Sequence, residues 1–231
     1  MSNKDFINFG MPQELYDNFN KFIFSNDKKI AAKLFWRTHF FLNTLNVPGD
    51  IAECGVFKGS GMLSWLKIKQ TFSPNSYKKV IGFDFFNAEE ILKSLNGVDR
   101  ENMAKLFSQR SFDPKDIFVD FLDTQIKNAG FNENDFELIK GDIIQTSRDF
   151  NAKRLGAKFS IIYMDLDLDV PTYHTLKNLW SNLSNGGYVI FDEYGYHEWS
   201  ESNGVDRFLE EKKIKLNIVE SQCPTAFFIK E

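Results

Sequence analysis

From Asp50 onward, short apolar runs alternate with segments of helical period, and no other feature restricts the fold of this chain so strongly. A strand that rejoins its sheet parallel to its predecessor needs a crossover of a dozen or more residues. The run-helix-run rhythm therefore specifies βαβ units and a parallel sheet. Strands are predicted near 50–54, 79–84, 135–140, 159–165 and 187–192. One helix follows Gly59 with Met62, Leu63 and Leu66. A second covers 114–129, entered through Asp113 and Pro114 and stopped by Gly130, and a third covers 171–183, stopped by Asn185, Gly186 and Gly187. A short helix around 204–213 precedes an antiparallel pair near 215–219 and 225–230, a mixed edge common on parallel sheets. The stretch 86–112 is longer than a crossover requires, which suits a helix or lid over one sheet edge.

Residues 1–48 read as an N-terminal helical extension and 49–231 as the main domain. Leu15, Phe19, Phe22 and Ile23 share one helical face, as do Ile30, Leu34, Phe41, Leu42 and Leu45 in the next segment, until Val47-Pro48-Gly49 stops it. A Phe-rich face of this kind, left exposed, suits a homodimer.

Composition narrows the class of partner. The 231 residues, 42% of them hydrophobic, match an ordinary soluble globular chain, and 25 Phe predict a Phe-rich core. With 28 basic against 32 acidic residues and no long Lys/Arg run, neither nucleic acid nor an anionic membrane is the expected partner. Two cysteines make a disulfide framework improbable and point to a reducing, cytoplasmic setting. The chain begins without a signal-like apolar stretch and has no run of about 18 apolar residues.

Chemistry concentrates at the predicted strand ends. Glu53-Cys54-Gly55-Val56-Phe57-Lys58-Gly59-Ser60-Gly61 leads from strand through a glycine-rich turn into a helix, where a ligand would meet bare backbone and a helix N-terminus. Alone, such a turn is as readily a tight connection without a ligand. Asp84 ends the next strand, where a ribose diol would lie, and together the two features indicate a nucleoside-type ligand. Asp142 and Ile143 at the third strand end suit an adenine amino group and ring face; a solvated turn is the equal alternative.

Asp165, Asp167 and Asp169 follow the fourth apolar run, and Asp192-Glu193 follow the fifth. Neighbouring parallel strands lie about 4.8 Å apart, so Asp165 and Asp192 should face each other across one cleft. Carboxylates gathered so closely repel unless something cationic sits between them. An all-oxygen set favours a hard cation such as Mg²⁺, Ca²⁺ or Mn²⁺ over zinc; solvated turn acids are the alternative, and acids on two consecutive strand tips favour the metal.

Three ordered blocks resemble the macrocin O-methyltransferase family: Asn46 to Gly59, Met164-Asp165-Leu166-Asp167-Leu168 with Thr172, and Leu183 to Gly195. The resemblance implies a class I, Rossmann-like α/β methyltransferase fold: a doubly wound, mostly parallel seven-stranded sheet of order 3-2-1-4-5-7-6. It implies S-adenosylmethionine as cofactor, with Glu53, Gly55 and Gly59 at its methionine end, Asp84 on the ribose, and Asp142 and Ile143 on the adenine. Gly61, Phe57 and Phe85 complete the expected cofactor surroundings, and Asp165 lies beside the methyl. Asp165, Asp192 and Glu193 become Mg²⁺ ligands, and 86–130 the region that selects substrate. Two positions depart from the family pattern: Glu193 stands where Asp is usual, and Leu166 where a small Gly is usual.

The implied reaction is Mg²⁺-assisted O-methylation of a sugar hydroxyl, on a deoxysugar or nucleotide sugar. Asp165 is the candidate base, and His197, a few residues beyond the acidic pair, is a second candidate. A catechol or phenol methyltransferase uses similar acids, but typically with a Lys shortly after the first Asp, where this chain has Leu166 and Leu168. The Asp165-Leu166-Asp167 triplet also fits a metal-dependent glycosyltransferase, which leaves the glycine turn and Asp84 unexplained. A binding protein with a retained nucleoside pocket is the non-enzymatic reading.

Overall fold

The apolar runs become strands because both of their faces are covered. The computed structural model describes residues 7–8, 11–109 and 113–231. Its main sheet contains β1 (Asp50–Cys54), β2 (Val80–Asp84), β3 (Phe136–Lys140), β4 (Phe159–Met164), β5 (Leu183–Phe191), β6 (Asn217–Ile218) and β7 (Ala226–Ile229). Their spatial order is 3-2-1-4-5-7-6; β1 to β5 run parallel, and β7 pairs antiparallel with both β5 and β6. The helices are α1 (Gln13–Ile23), α2 (Lys29–Asn43), α3 (Ser60–Phe72), α4 (Ala88–Ser94), α5 (Gly97–Gln109), α6 (Val119–Asn128), α7 (Ile143–Lys153), α8 (Asp169–Leu179) and α9 (Glu201–Lys212).

Alternation along the strands divides the core in two. Ala52, Cys54, Ile162 and Met164 point toward Phe150, Phe208 and Phe228. Ile51, Ile161 and Tyr163 point the other way, toward Phe40, Phe41, Trp65 and Leu66. The abundant phenylalanines interlock: Phe150 stacks on Phe159 at 5.3 Å, and Phe40 meets Phe227 edge-on at 5.3 Å. Truncating such a buried ring costs about 3–5 kcal/mol.

Several elements depart from the sequence expectation. The helix expected over 114–129 divides into a 3-10 turn, Pro114–Ile117, and α6, because Phe118 between them is extended (φ −71°, ψ 138°). Helix α7 was not anticipated, although Ile143, Ser147 and Phe150 form its buried stripe at helical spacing. The stretch 86–112 holds α4 and α5. Strand β5 starts at Leu183, inside the segment expected to be helical. In the N-terminal helices Leu15, Phe19, Ile23, Ile30, Leu34, Leu42 and Leu45 stay exposed, whereas Phe41 is buried. Helix α2 instead turns Arg37, Phe40 and Phe41 into the core, and Thr44 at its C-cap is buried with them. No described helix is long and apolar enough to cross a membrane.

Candidate active site

The expected cofactor residues gather at the carboxyl ends of β1, β2 and β3. Beyond β1, Gly55 has φ 91° and Gly59 φ 83°, backbone that glycine adopts without strain. At Gly55 the need is also steric, since a Cβ there would lie 2.0 Å from the Asp165 carbonyl oxygen. A Cβ on Gly61 would lie 1.8 Å from Glu53 Oε1. Asp84, at the tip of β2, ties the turn down: Oδ2 accepts the amides of Val56 (2.7 Å) and Phe57 (3.0 Å), and Oδ1 that of Phe86 (2.9 Å). These bonds hold Phe57 in its left-handed conformation, φ 48°. Phe85 follows Asp84 and is half-buried. Asp142 caps α7 by accepting the Ile144 amide at 2.9 Å, while Ile143 is buried behind it.

Glu53 sits differently from the methionine-end role expected of it. It is 2% exposed, and both its oxygens are engaged, Oε1 by Arg37 at 2.8 Å and Oε2 by the Trp65 indole at 2.6 Å. Burial pushes its carboxyl up, against the pull of Arg37 and Trp65. Its visible work is to lock α2 and α3 onto β1.

The ladder places the acids side by side. The Asp165 amide donates to Cys54 O (2.8 Å) and the Asp192 amide to Met164 O (2.9 Å), so each acid begins where its strand ends. Lys33 reaches both, its Nζ 2.6 Å from Asp192 Oδ2 and 3.2 Å from Asp165 Oδ2. Lys29 Nζ lies 2.5 Å from Glu193 Oε1, and the Tyr163 hydroxyl donates to Asp192 Oδ1 at 2.5 Å. Lys29, Lys33 and Arg37 recur every four residues, so one face of α2 presents three cations to the row of acids. Burial lowers the two lysines, but their acidic partners outweigh it and leave both above the ordinary ammonium range.

Two further acids border the cluster. Glu201, at the start of α9, is fully buried with neither carboxyl oxygen hydrogen-bonded, and burial together with the charges of Asp167 and Asp165 pushes it well above the usual range. Asp167, in left-handed backbone at φ 64°, is raised by burial and by the charges of Asp165, Glu193 and Asp192. Burial and the Asp192 charge also raise Asp165, while Lys33 and Arg37 pull it back.

His197 lies outside this arrangement. Its side chain is 92% exposed and pairs with Glu198 at 3.2 Å. The cations of α2 and the buried Glu201 were missed from sequence; the repeat of Lys29, Lys33 and Arg37 at intervals of four was the available signal.

The fit of Mg²⁺ turns on what the acid oxygens already face. Lys33 stands between Asp165 and Asp192, where an ion shared by them would lie, and Lys29 and Tyr163 take further oxygens. Ligand atoms of Asp192, Glu193 and Cys223 lie within 4.8 Å of one another, but burial pushes the Cys223 thiol up to about 12, and a protonated thiol is a poor partner for a hard cation. As arranged, the residues fit an ammonium-neutralised acid cluster rather than a resident divalent ion.

A seven-stranded sheet of this order, with a glycine turn after β1 and an acid at the tip of β2, defines a class I methyltransferase fold. Residues 41–230 match the family model described as macrocin-O-methyltransferase (TylF), and the chain belongs to that family. A curated relative from Streptomyces olivaceus, 8-demethyl-8-(2,3-dimethoxy-alpha-L-rhamnosyl)-tetracenomycin-C 4'-O-methyltransferase, is 24% identical over 148 residues, 64% of this chain and 54% of the relative. The chain thus spans about half the length of that protein. Among solved structures, CalS11, a calicheamicin methyltransferase, superposes with TM-score 0.72 at 19% identity over 94% of this chain and 84% of its own. An O-methyltransferase from Bacillus cereus, solved in complex with SAH, gives TM-score 0.56 at 14% identity over 94% and 88%.

Proposed function

We propose that this protein transfers the methyl group of S-adenosylmethionine to a hydroxyl of a sugar, carried on a natural product or a nucleotide. The observation that carries this reading is the contact between Gly55 and Asp165: a turn suited to the cofactor abuts the acid that leads the catalytic cluster. The family, the rhamnosyl specificity in the relative's name and the SAH held by the Bacillus cereus enzyme support the substrate and cofactor classes.

Methyl transfer from a sulfonium is an in-line displacement. The sulfur–methyl bond breaks as the oxygen–methyl bond forms, sulfur keeps the electron pair, and the hydroxyl proton must leave. The protein therefore has to align the acceptor and remove that proton. We assign proton removal to Asp165, whose Oδ2 is held by Lys33 and whose Oδ1 is left for the acceptor. Asp84 and the turn Gly55 to Gly61 are assigned to the ribose and methionine portions, and Asp142 and Ile143 to the adenine. Residues 86–130 are assigned to substrate selection; α5 leans on the far side of the site, Asn102 donating to Glu198 O (2.8 Å) and Asp99 accepting from Ser200 (3.0 Å). Mg²⁺ on Asp165, Asp192 and Glu193 is the alternative that the acids alone suggest. It requires Lys29 and Lys33 to leave, and Mn²⁺ binding to the intact protein tests it.

Calorimetry with S-adenosylhomocysteine, UDP-glucose and NAD tests the cofactor; only the first should bind tightly. A panel of nucleotide deoxysugars, followed by mass spectrometry for one added methyl, tests the substrate. Asp165→Asn keeps the shape but not the basicity and should lower kcat about 10²–10⁴-fold with little change in cofactor affinity. Tight NAD binding, or an Asp165→Asn protein of full activity, overturns the reading. We also assign the exposed apolar side chains of α1 and α2, including Leu15, Phe19 and Phe35, to a homodimer contact, which sedimentation velocity tests.

A further inference from the structure

We propose that the cation of this active site is built into the chain: Lys33 holds Asp165 and Asp192 in the place of a divalent metal ion, and turnover needs no added metal. The inference rests on the methyltransferase reading and specifies how its acids are neutralised.

The position of Lys33 is set by elements that pack independently of it. Phe40 and Phe41 are fully buried in the core, and Arg37, one turn from Lys33, is locked to buried Glu53. One turn the other way, Lys29 meets Glu193. Helix α2 thus lies along the row of strand tips with a cation at every turn, and Lys33 falls opposite the gap between β4 and β5. The Arg37 guanidinium also stands 4.1 Å from the Tyr163 ring, whose hydroxyl donates to Asp192, so the same helix is joined to that acid from behind.

The contacts give the same answer: Lys33 meets Asp165 and Asp192, and Lys29 meets Glu193, so each of the three acids already faces an ammonium group, and a divalent ion added to this set would face Lys33 across the same oxygens. Mg²⁺ binds through one or two carboxylates and keeps several waters; here Asp192 Oδ1 accepts from Tyr163, and Oδ2, buried without a hydrogen bond, already has the Lys33 ammonium 2.6 Å away as its cation.

Lys33 touches the acids rather than the reacting atoms, so it is a positioning residue. Its ammonium holds Oδ2 of Asp165, so that Oδ1 is the oxygen assigned to the acceptor hydroxyl. Without it, Asp165 and Asp192 repel, and the vacated oxygens become available to a metal. Glu193 spans the distance to Lys29 from the end of β5.

The test combines Mn²⁺ titration followed by electron paramagnetic resonance with turnover in EDTA or in Mg²⁺, on wild type, Lys33→Met and Lys33→Arg. Wild type should leave the free Mn²⁺ signal undiminished at millimolar metal and turn over equally in EDTA and Mg²⁺. Lys33→Met should bind S-adenosylhomocysteine within about threefold of wild type, lose at least about 10²-fold in kcat, and now take up Mn²⁺; Lys33→Arg should retain more activity than Lys33→Met. A merely structural lysine would not make a metal site appear on its removal. Stoichiometric Mn²⁺ binding by wild type, loss of its turnover in EDTA, or wild-type kcat in Lys33→Met overturns the inference. If Lys33→Met does not fold, the wild-type metal titration still decides. Failure of wild type to bind S-adenosylhomocysteine would instead overturn the methyltransferase reading.

Discussion

The ion pair between Arg37 and Glu53 joins α2 to the sheet, and Arg37→Met exposes what that junction is worth. Both side chains are almost wholly buried, 5% and 2% exposed, at 2.8 Å. Removing one partner of such a pair costs about 3–5 kcal/mol, because the other charge is stranded. Two features moderate the loss. Arg37 Nε is buried without a partner in wild type, so Met removes one unsatisfied donor, worth about 1 kcal/mol. Burial already raises the Glu53 carboxyl, with Arg37 the main opposing charge, so the stranded acid can take up a proton. A net cost of about 2–4 kcal/mol follows, and at this chain length it lowers Tm by roughly 5–15 °C. The pH dependence has a definite sign. A carboxyl raised further in the folded state favours the fold at low pH and loses that contribution as pH rises through its folded value. The deficit of Arg37→Met relative to wild type should therefore be smaller at pH 5 than at pH 8. Urea melts at the two pH values measure it, and Arg37→Met/Glu53→Gln should recover part of the loss at pH 8. A cost below about 1 kcal/mol at pH 8, or a deficit independent of pH, would refute the reasoning.

Asp84→Ala leaves the amides of Val56, Phe57 and Phe86 without their acceptor, so calorimetry should show S-adenosylhomocysteine affinity reduced at least tenfold; unchanged affinity in a folded protein removes Asp84 from the cofactor site. Glu201→Gln removes a carboxyl whose raised value stabilises the fold below the ordinary Glu range near 4.3 and costs stability as pH rises above it. Its Tm relative to wild type should therefore climb between pH 4 and pH 8, and a pH-independent difference would show that Glu201 does not titrate as its burial requires.

The parallel strands and their acidic tips were legible because each rests on local pattern, whereas the strand order came from the family resemblance. Short continuous apolar runs separated by helical segments mark strands buried on both faces, and an acid directly after such a run emerges at the strand end. Helix α7 was overlooked because its stripe of Ile143, Ser147 and Phe150 includes a serine and its cap, Asp142, had been read as a ligand. Strand β5 was begun too late because the glycines that stop a helix also lie within an irregular strand.

The site was half legible, and the missing half is instructive. Asp165 and Asp192 can be placed by strand adjacency alone, and electrostatics then requires a cation between them. Nothing in their neighbourhood of sequence supplies one, so a metal was the natural expectation. Lys33 lies 132 residues before Asp165 and Lys29 164 before Glu193, on a helix whose exposed apolar stripe of Ile30, Leu34 and Leu42 drew attention away from them. A lysine repeat on an amphipathic helix ordinarily marks the solvent side. Here Lys29 and Lys33 turn toward the acids, which cannot be buried without a cation, and Arg37, Phe40 and Phe41 turn into the core with them. The same helix thus neutralises the acids through Lys29 and Lys33 and leaves Ile30, Leu34 and Phe35 uncovered.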